Sequence, residues 1–525
     1  MRRLRSGQML VFLPAAIAFG LLLVRLARDV HGKPLVEDEA VAGLIGARPL
    51  GELLATVVWD RGGAPLHFLL VHAVLWMDSS ADALRWLSVA FAAGAVATCF
   101  ELGRRLAGPV AASGAAIAGA TSGLLTIYGS VARMYALLAF AGGLAAVLFV
   151  RALERRTGEA AFTAALAAWL LPAAHPYGGI GVAAEAAVAL YLWRGRPLKP
   201  ALPALSVGAA MIPFAFFDLR LADRFDVGGR GHSLAGPGET WNQLEHVFRG
   251  AAGGSGVPLA VFLGLGVIGL VVLARDRPAV ATLTALWMLG PPVLFLLVRS
   301  HSSPDLSPRH LMYAVPLWAA AVGVGVERLL RVERLPVQAA ALGVLTLVAG
   351  LGSTGVHDPR ELKFPAGLGA EKELARPATR LRAEIRPGDV LFPFSSVHLA
   401  ALPASGRATA MPRAQPELLA RAIRRVDLPA GSVFVSVPVA SSEIRLAQLR
   451  ERLGPGYRVE RIDGWLILER RGPLEDRPAI AAAIERLLRE AQGATAGRYH
   501  TALAGYYDLG IDVAEGARLR LLRAG

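Results

Sequence analysis

The chain has 525 residues, 54% of them hydrophobic and only 18% charged, with a mean hydropathy of +0.47. Soluble domains carry about a quarter charged residues, so this balance excludes an ordinary soluble protein and points to several membrane spans. The formal charge of +14 fits Lys and Arg gathered in cytoplasmic loops and needs no nucleic-acid partner, and the single cysteine, Cys99, excludes an internal disulfide framework.

The first 30 residues, "MRRLRSGQMLVFLPAAIAFGLLLVRLARDV", combine a basic start with an apolar run. No small-residue cleavage site follows and many apolar segments do, so the run reads as a retained first span. Apolar windows of spanning length fall at 8–28, 83–103, 109–128, 133–151, 200–217, 254–274, 279–298, 310–330 and 336–352. Two shorter ones in 160–193 break at "HPYGG", making about eleven spans. The basic runs "MRRLR", "ELGRRL", "RALERR", "RGRPLK", "ARDRP" and "RVERL" assign those loops to the cytoplasm. The stretches 29–82, 128–133, 175–179, 218–250 and 299–309 then face outward. Alternation requires that 64–77, too short to span, lie at the interface or re-enter.

Beyond residue 352 the chain turns charged and is punctuated by Pro and Gly. The fold class is therefore mainly α: a polytopic helical bundle over 1–352, followed by a small extracytoplasmic α/β domain over 353–525. Short β-like runs ("DVLFPF", "SVFVSV", "YRVERI", "GWLILE") and helical stretches at 440–453 and 476–492 build that domain, and "RIDGW" offers an Asp-Gly hairpin turn.

The outward segments share carboxylates, arginines, histidines and tyrosines at span ends. "PLVEDEAVAGL" carries Glu37, Asp38 and Glu39. "WDRGGAPLHF" carries Asp60, Arg61 and His67. "IYGSVARMYAL" carries Tyr128, Arg133 and Tyr135, and "HPYGG" carries His175 and Tyr177. "SPDLSPRHLMYAVP" carries Asp305, Arg309, His310 and Tyr313. Each has a plain reading. Three acids in a row serve as a solvated loop, an arginine at a helix end snorkels to headgroups, and tyrosines form an interfacial belt. The belt is the reading taken for Tyr313, Glu37 is read as solvated, and Arg61 and Arg299 carry no motif. The long loop 218–250 reads as a lid or acceptor loop, or as a plain connector; its "GGRG" lacks the strand and helix context of a nucleotide fingerprint. His67 and His72 are five apart, not four, so they make no helical metal pair.

Taken together and in order, "EDEA" after a first span, "GGAPLHFLL", "ARMYAL" and "SPRHLMYAVP" resemble the GT-C glycosyltransferases over roughly residues 8–330. More narrowly, the chain looks like the glycosyltransferase family 39-like group of protein mannosyltransferases and aminoarabinose transferases. The resemblance implies an inverting transferase that moves a sugar from a polyprenyl-phosphate carrier to an acceptor hydroxyl at the outer face of a bacterial-type cell membrane. Asp38 would be the catalytic base, with Glu39 supporting it. Arg133, Tyr135, Arg309 and His310 match the donor-binding turns, and His67, His175 and Tyr177 join them as substrate-binding candidates. Ala64 stands where relatives carry His or Pro, His310 where they carry Tyr, and Val131 where they carry an acid two residues before the turn arginine. The partners implied are the lipid-linked donor and membrane lipid, with the acceptor (protein, lipid or polysaccharide) unassigned. No cofactor is assigned with certainty; a divalent metal stays open with no ligand set.

The alternatives are a secondary transporter or lipid flippase, and an inactive scaffold binding envelope polymers. A transporter favours ionisable groups deep in spans; Glu101 and Glu185 are the candidates, and Glu101 adjoins the cytoplasmic arginines. The missing acid at Val131 keeps the scaffold in play.

Overall fold

The structure is a computed structural model. It describes residues 9–31, 37–60, 64–78, 80–194, 202–213, 216, 245, 247–297, 308–331, 333–355, 371–385, 389–393, 408–410, 433–438, 451, 456–462 and 465–470. Most of the loop 218–250, Arg61, Arg299, Asp305, nearly all of 440–453 and all of 476–492 lie outside the described residues. The chain divides into two compact units. The first holds nearly all of the helical part up to residue 364, and the second holds Lys33–Ile45 with Pro365–Gly525.

In chain order the helices are α1 (Met9–Val30), α2 (Glu37–Gly46), α3 (Leu50–Asp60), α4 (Leu66–Met77), α5 (Ala81–Ala107), α6 (Pro109–Thr121), α7 (Gly123–Tyr128), α8 (Tyr135–Arg155), α9 (Gly158–Ala174), α10 (Gly178–Trp193) and α11 (Leu202–Ala210). Next come α12 (Val257–Asp276), α13 (Pro278–Leu297), a 3-10 turn (Pro308–Ala314), α14 (Val315–Leu330), α15 (Leu335–Gly355) and α16 (Glu371–Glu384). Helix therefore stands on every apolar window. Among the described residues, six stretches are long and apolar enough to cross a membrane unaided: Met9–Val30, Ala81–Ala107, Tyr135–Arg155, Val257–Asp276, Pro308–Leu330 and Leu335–Gly352. The window 109–128 is two helices, because Ser122 leaves the helical region (φ −55°, ψ 127°). α4, with 12 residues, is about 18 Å long at 1.5 Å per residue, against a hydrocarbon core of about 30 Å.

Local chemistry sets the helix ends. The Ser80 hydroxyl accepts from the Ala83 N–H at 3.1 Å to start α5, and the Thr157 hydroxyl accepts from Ala160 to start α9. α1 shows how the bundle meets lipid. Val11, Ala15, Ala18, Leu22 and Leu26 are buried, while Leu10, Leu13, Ile17, Leu21 and Val24 are exposed. A helix apolar all round, with one face outward, suits a hydrocarbon solvent. Inside, α14 packs on α12 and α6, and α5 packs on α6 and α8. Small residues permit this closeness: a Cβ on Gly323 would overlap the Ala111 carbonyl. Arg105 at the end of α5 bonds Glu154 near the end of α8 at 2.9 Å. Both helices therefore end at the same side of the bundle, beside Arg104 and Arg155. Glu101 accepts from Arg104 and Arg105 at 2.6–2.8 Å.

The second unit is built on a five-stranded sheet of order β2-β1-β3-β5-β4: β1 (Asp389–Pro393), β2 (Ala408–Ala410), β3 (Val433–Pro438), β4 (Tyr457–Ile462) and β5 (Trp465–Arg470). β1 pairs in parallel with β2 and β3, whereas β5 runs antiparallel to β3 and β4. Ile462 pairs with Trp465, the register that joins β4 and β5 as neighbours. Buried Leu381 and Ile385, at the end of α16 and just after it, pack on Ile467. β2 and α16 are additions to the four strand runs visible in the sequence. α2 belongs to this unit apart from its last residue. Its first turn is Glu37, Asp38 and Glu39, a placement that the helix dipole favours for acids. The side chains of Glu37 and Asp38 lie outside the described residues; Glu39 is 1% exposed, so for it the solvated-loop reading is wrong.

Candidate functional site

Four separate turns of the first unit meet at one cluster. The link from α7 to α8 is a tight turn in which the Arg133 N–H donates to the Val131 carbonyl at 2.6 Å, and α8 then starts at Tyr135. The link from α9 to α10 holds His175 as the C-cap and Tyr177 as the N-cap. The His175 ring accepts from the Tyr177 N–H at 3.1 Å, which fixes that corner. The 3-10 turn carries Arg309 and His310 and packs against α7, α8 and α10. Gly142 makes the approach of α8 possible, since a Cβ there would overlap the Tyr313 carbonyl. The first turn of α4 adds His67, and α4 packs on α5 and α9. His72, one turn on, donates to the Gly46 carbonyl at 2.7 Å, so it anchors α4 and does not join the cluster.

The rings interlock. Tyr177 stacks on His310 with centroids 4.3 Å apart and planes 13° apart. His175 lies 5.4 Å from His310, 5.5 Å from Tyr177 and 5.9 Å from Tyr135. The Arg309 guanidinium sits over the Tyr135 ring at 5.5 Å, and Tyr128 meets Tyr135 edge-on at 5.0 Å. Thus His67, Arg133, Tyr135, His175, Tyr177, Arg309 and His310 share one neighbourhood, although up to 243 positions of sequence separate them. Asp38 and Glu39 belong to the second unit.

The cluster is cationic with neutral rings. Burial, reinforced by the Arg133, Arg309 and His67 neighbours, pushes His175 down to about 3. Burial and then Arg133 push His67 down to about 3 as well, opposed by its hydrogen bond to the Ala132 backbone. At neutral pH the two guanidiniums therefore carry the charge, and the imidazoles contribute neutral dipoles. A planar guanidinium pair suits a phosphate group. Among the described residues, no three His, Cys, Asp or Glu side chains converge as metal ligands.

Burial of the histidines has a stability consequence. A ring whose folded pKa lies below its ordinary 6.5 stabilises the fold fully above that value. The contribution is lost as pH falls from 6.5 towards 3. Thermal unfolding in nanodiscs is expected to be flat from pH 7 to 8 and to move to lower temperature below about pH 6. His175→Gln should flatten that slope; an unchanged slope would mean that the ring is not buried neutral.

Tyr313 corrects the sequence reading. It is 0% exposed, not part of an interfacial belt. Its ring meets Trp287 edge-on at 5.3 Å, and Trp287 donates to the Gly181 carbonyl at 2.9 Å. Trp287 had no sequence signal, being one apolar residue within an apolar span. Its effect is to lock the 3-10 turn against α10 and α13.

No protein-family model matches the sequence, and no curated protein does. Solved structures do. The crystal structure of ArnT from Cupriavidus metallidurans in the apo state is similar at a TM-score of 0.59 and 12% identity, over 89% of this chain and 98% of that one. The same protein bound to undecaprenyl phosphate is similar at 0.56 and 12%, over 86% and 97%. With its helical membrane bundle and its small α/β unit, the chain has the fold of the GT-C membrane glycosyltransferases.

Proposed function

We propose that this protein is an inverting membrane glycosyltransferase that uses a polyprenyl-phosphate sugar as donor. The observation that carries the reading is the buried meeting of Arg133 and Arg309 with five ring side chains at helix ends. In the reaction, the acceptor hydroxyl oxygen attacks the anomeric carbon from the face opposite the phosphate. The bond from that carbon to the phosphate oxygen breaks. Asp38, with Glu39 in support, takes the hydroxyl proton, and the two guanidiniums hold the charge that builds on the leaving phosphate. The likeness to a protein solved with undecaprenyl phosphate agrees with such a carrier.

Charge supports an outward-facing site. Arg104, Arg105 and Arg155 gather at one end of the bundle, and the α8 end that bears Tyr135 is opposite. By the positive-inside rule the arginine-rich end is cytoplasmic, so the cluster faces outward. The transporter alternative draws on Glu185, which is 5% exposed midway along α10. Glu101, held by its two arginines, gives it nothing.

The test is sugar transfer or release from a panel of polyprenyl-phosphate sugars, with the protein in nanodiscs. Turnover of at least one donor is expected. Binding of the donors without turnover on any acceptor would favour the scaffold, and neither binding nor turnover would favour the transporter.

A further inference from the structure

Within the cluster, His67 has a hydrogen-bonding state unlike that of its neighbours. Its side chain is 2% exposed. It hydrogen-bonds the backbone at Ala132, the residue just before Arg133. Nε2 is buried and has no hydrogen-bond partner among the described residues. A neutral imidazole has one N–H donor and one lone-pair acceptor. The Ala132 bond favours the charged ring, so the ring is the donor and the carbonyl accepts. With the N–H spent there, Nε2 is left as an acceptor only. It cannot donate to an ionised phosphate oxygen, and an acceptor lone pair buried in this way is costly unless a donor group meets it.

We propose that His67 is a specificity residue whose Nε2 accepts a hydrogen bond from a hydroxyl of the transferred sugar. This inference rests on the glycosyltransferase reading. The sugar is favoured over the acceptor because His67 adjoins Arg133, a group assigned to the phosphate, and the sugar is what the phosphate carries. The division of labour is chemical: guanidiniums donate to oxyanions, and the imidazole accepts from a hydroxyl. Sites that bind a hydroxyl in this way reject analogues lacking it, because the buried polar atom is then left unpaired.

The test compares affinities for undecaprenyl phosphate and for undecaprenyl-phosphate mannose and arabinose in nanodiscs. His67→Asn is the informative variant. Its amide nitrogen can occupy the place of Nδ1 and keep the bond to Ala132, while the distal acceptor disappears. Wild-type protein should bind at least one sugar-bearing lipid more tightly than the bare phosphate. His67→Asn should lose about tenfold for that lipid and stay within about twofold for the bare phosphate. His67→Ala, which also frees the Ala132 carbonyl beside Arg133, should weaken both. Equal weakening by His67→Asn for bare and sugar-bearing lipids would make His67 a phosphate or packing residue and overturn the proposal. Unchanged donor affinity with lost turnover would move the contact to the acceptor hydroxyl, and equal wild-type affinity for every lipid would remove the sugar contact; both overturn it. Failure of wild-type protein to bind any of the lipids would overturn the glycosyltransferase reading along with it.

Discussion

Arg309→Ala and Arg133→Ala should each weaken binding of undecaprenyl phosphate by about thirty-fold to a few thousand-fold. Truncating one partner of a buried, hydrogen-bonded charge pair costs about 2–5 kcal/mol, and each 1.4 kcal/mol is a factor of ten. The site is of that kind, since the histidines around the two guanidiniums are buried and neutral and therefore neither screen nor replace them. Arg309→Lys keeps the charge but loses the planar fork and its stacking on Tyr135, so about a tenfold loss is expected. Raising the salt concentration should weaken wild-type binding less than it would at an exposed pair of arginines. Titration of the lipid phosphate into nanodisc-held protein, with thermal unfolding as a control for fold, measures all three variants. Losses below threefold in both alanine variants, with the fold intact, would take the phosphate off these arginines.

Asp38→Asn should lower turnover by about a hundred-fold to ten-thousand-fold while donor affinity stays within about twofold. That range is what a positioned general base contributes, and the amide keeps the shape of the carboxylate but cannot take a proton. The acids occupy the first turn of α2. Glu39→Gln should cost less turnover and more stability, because Glu39 is buried. The assay is sugar transfer by wild type and both variants, run with and without chelator, so that any metal requirement shows in the same experiment. Equal turnover in wild type and Asp38→Asn would remove Asp38 from the chemistry.

Much of this protein was legible in one dimension because a membrane imposes one-dimensional rules. A chain crossing hydrocarbon must satisfy its backbone internally, so long apolar runs become helices wherever they occur. Charge parity then separated α4, which is too short to span, from its neighbours. The last two strands were equally plain: a two-residue Asp-Gly link between apolar runs sets a hairpin register, and Ile462 faces Trp465. α16 and β2 were not visible. α16 is charged, and its apolar residues gain meaning only where Leu381 and Ile385 meet Ile467. β2 is three residues long and pairs in parallel with a strand fifteen or more positions away.

The candidate site divides in the same way. Composition and position nominated His67, Arg133, Tyr135, His175, Tyr177, Arg309 and His310, because polar residues at span ends are few and costly. Sequence could not say that these residues touch. That depends on helix packing, and packing rests on local sterics such as Gly142 against the Tyr313 carbonyl and Trp287 bracing the 3-10 turn. Nor could it distinguish Tyr313, sealed in the bundle, from a tyrosine in the lipid interface, since both follow the same apolar pattern. By itself the sequence determined the class of protein, the helices and the nominees, all consequences of apolar periodicity and charge placement along the chain. Only the tertiary structure decided which side chains meet and which are sealed from solvent. It thereby decided which imidazoles stay neutral and which nitrogen of His67 is left to accept a hydrogen bond, because desolvation and hydrogen-bond direction depend on neighbours brought in from distant parts of the chain.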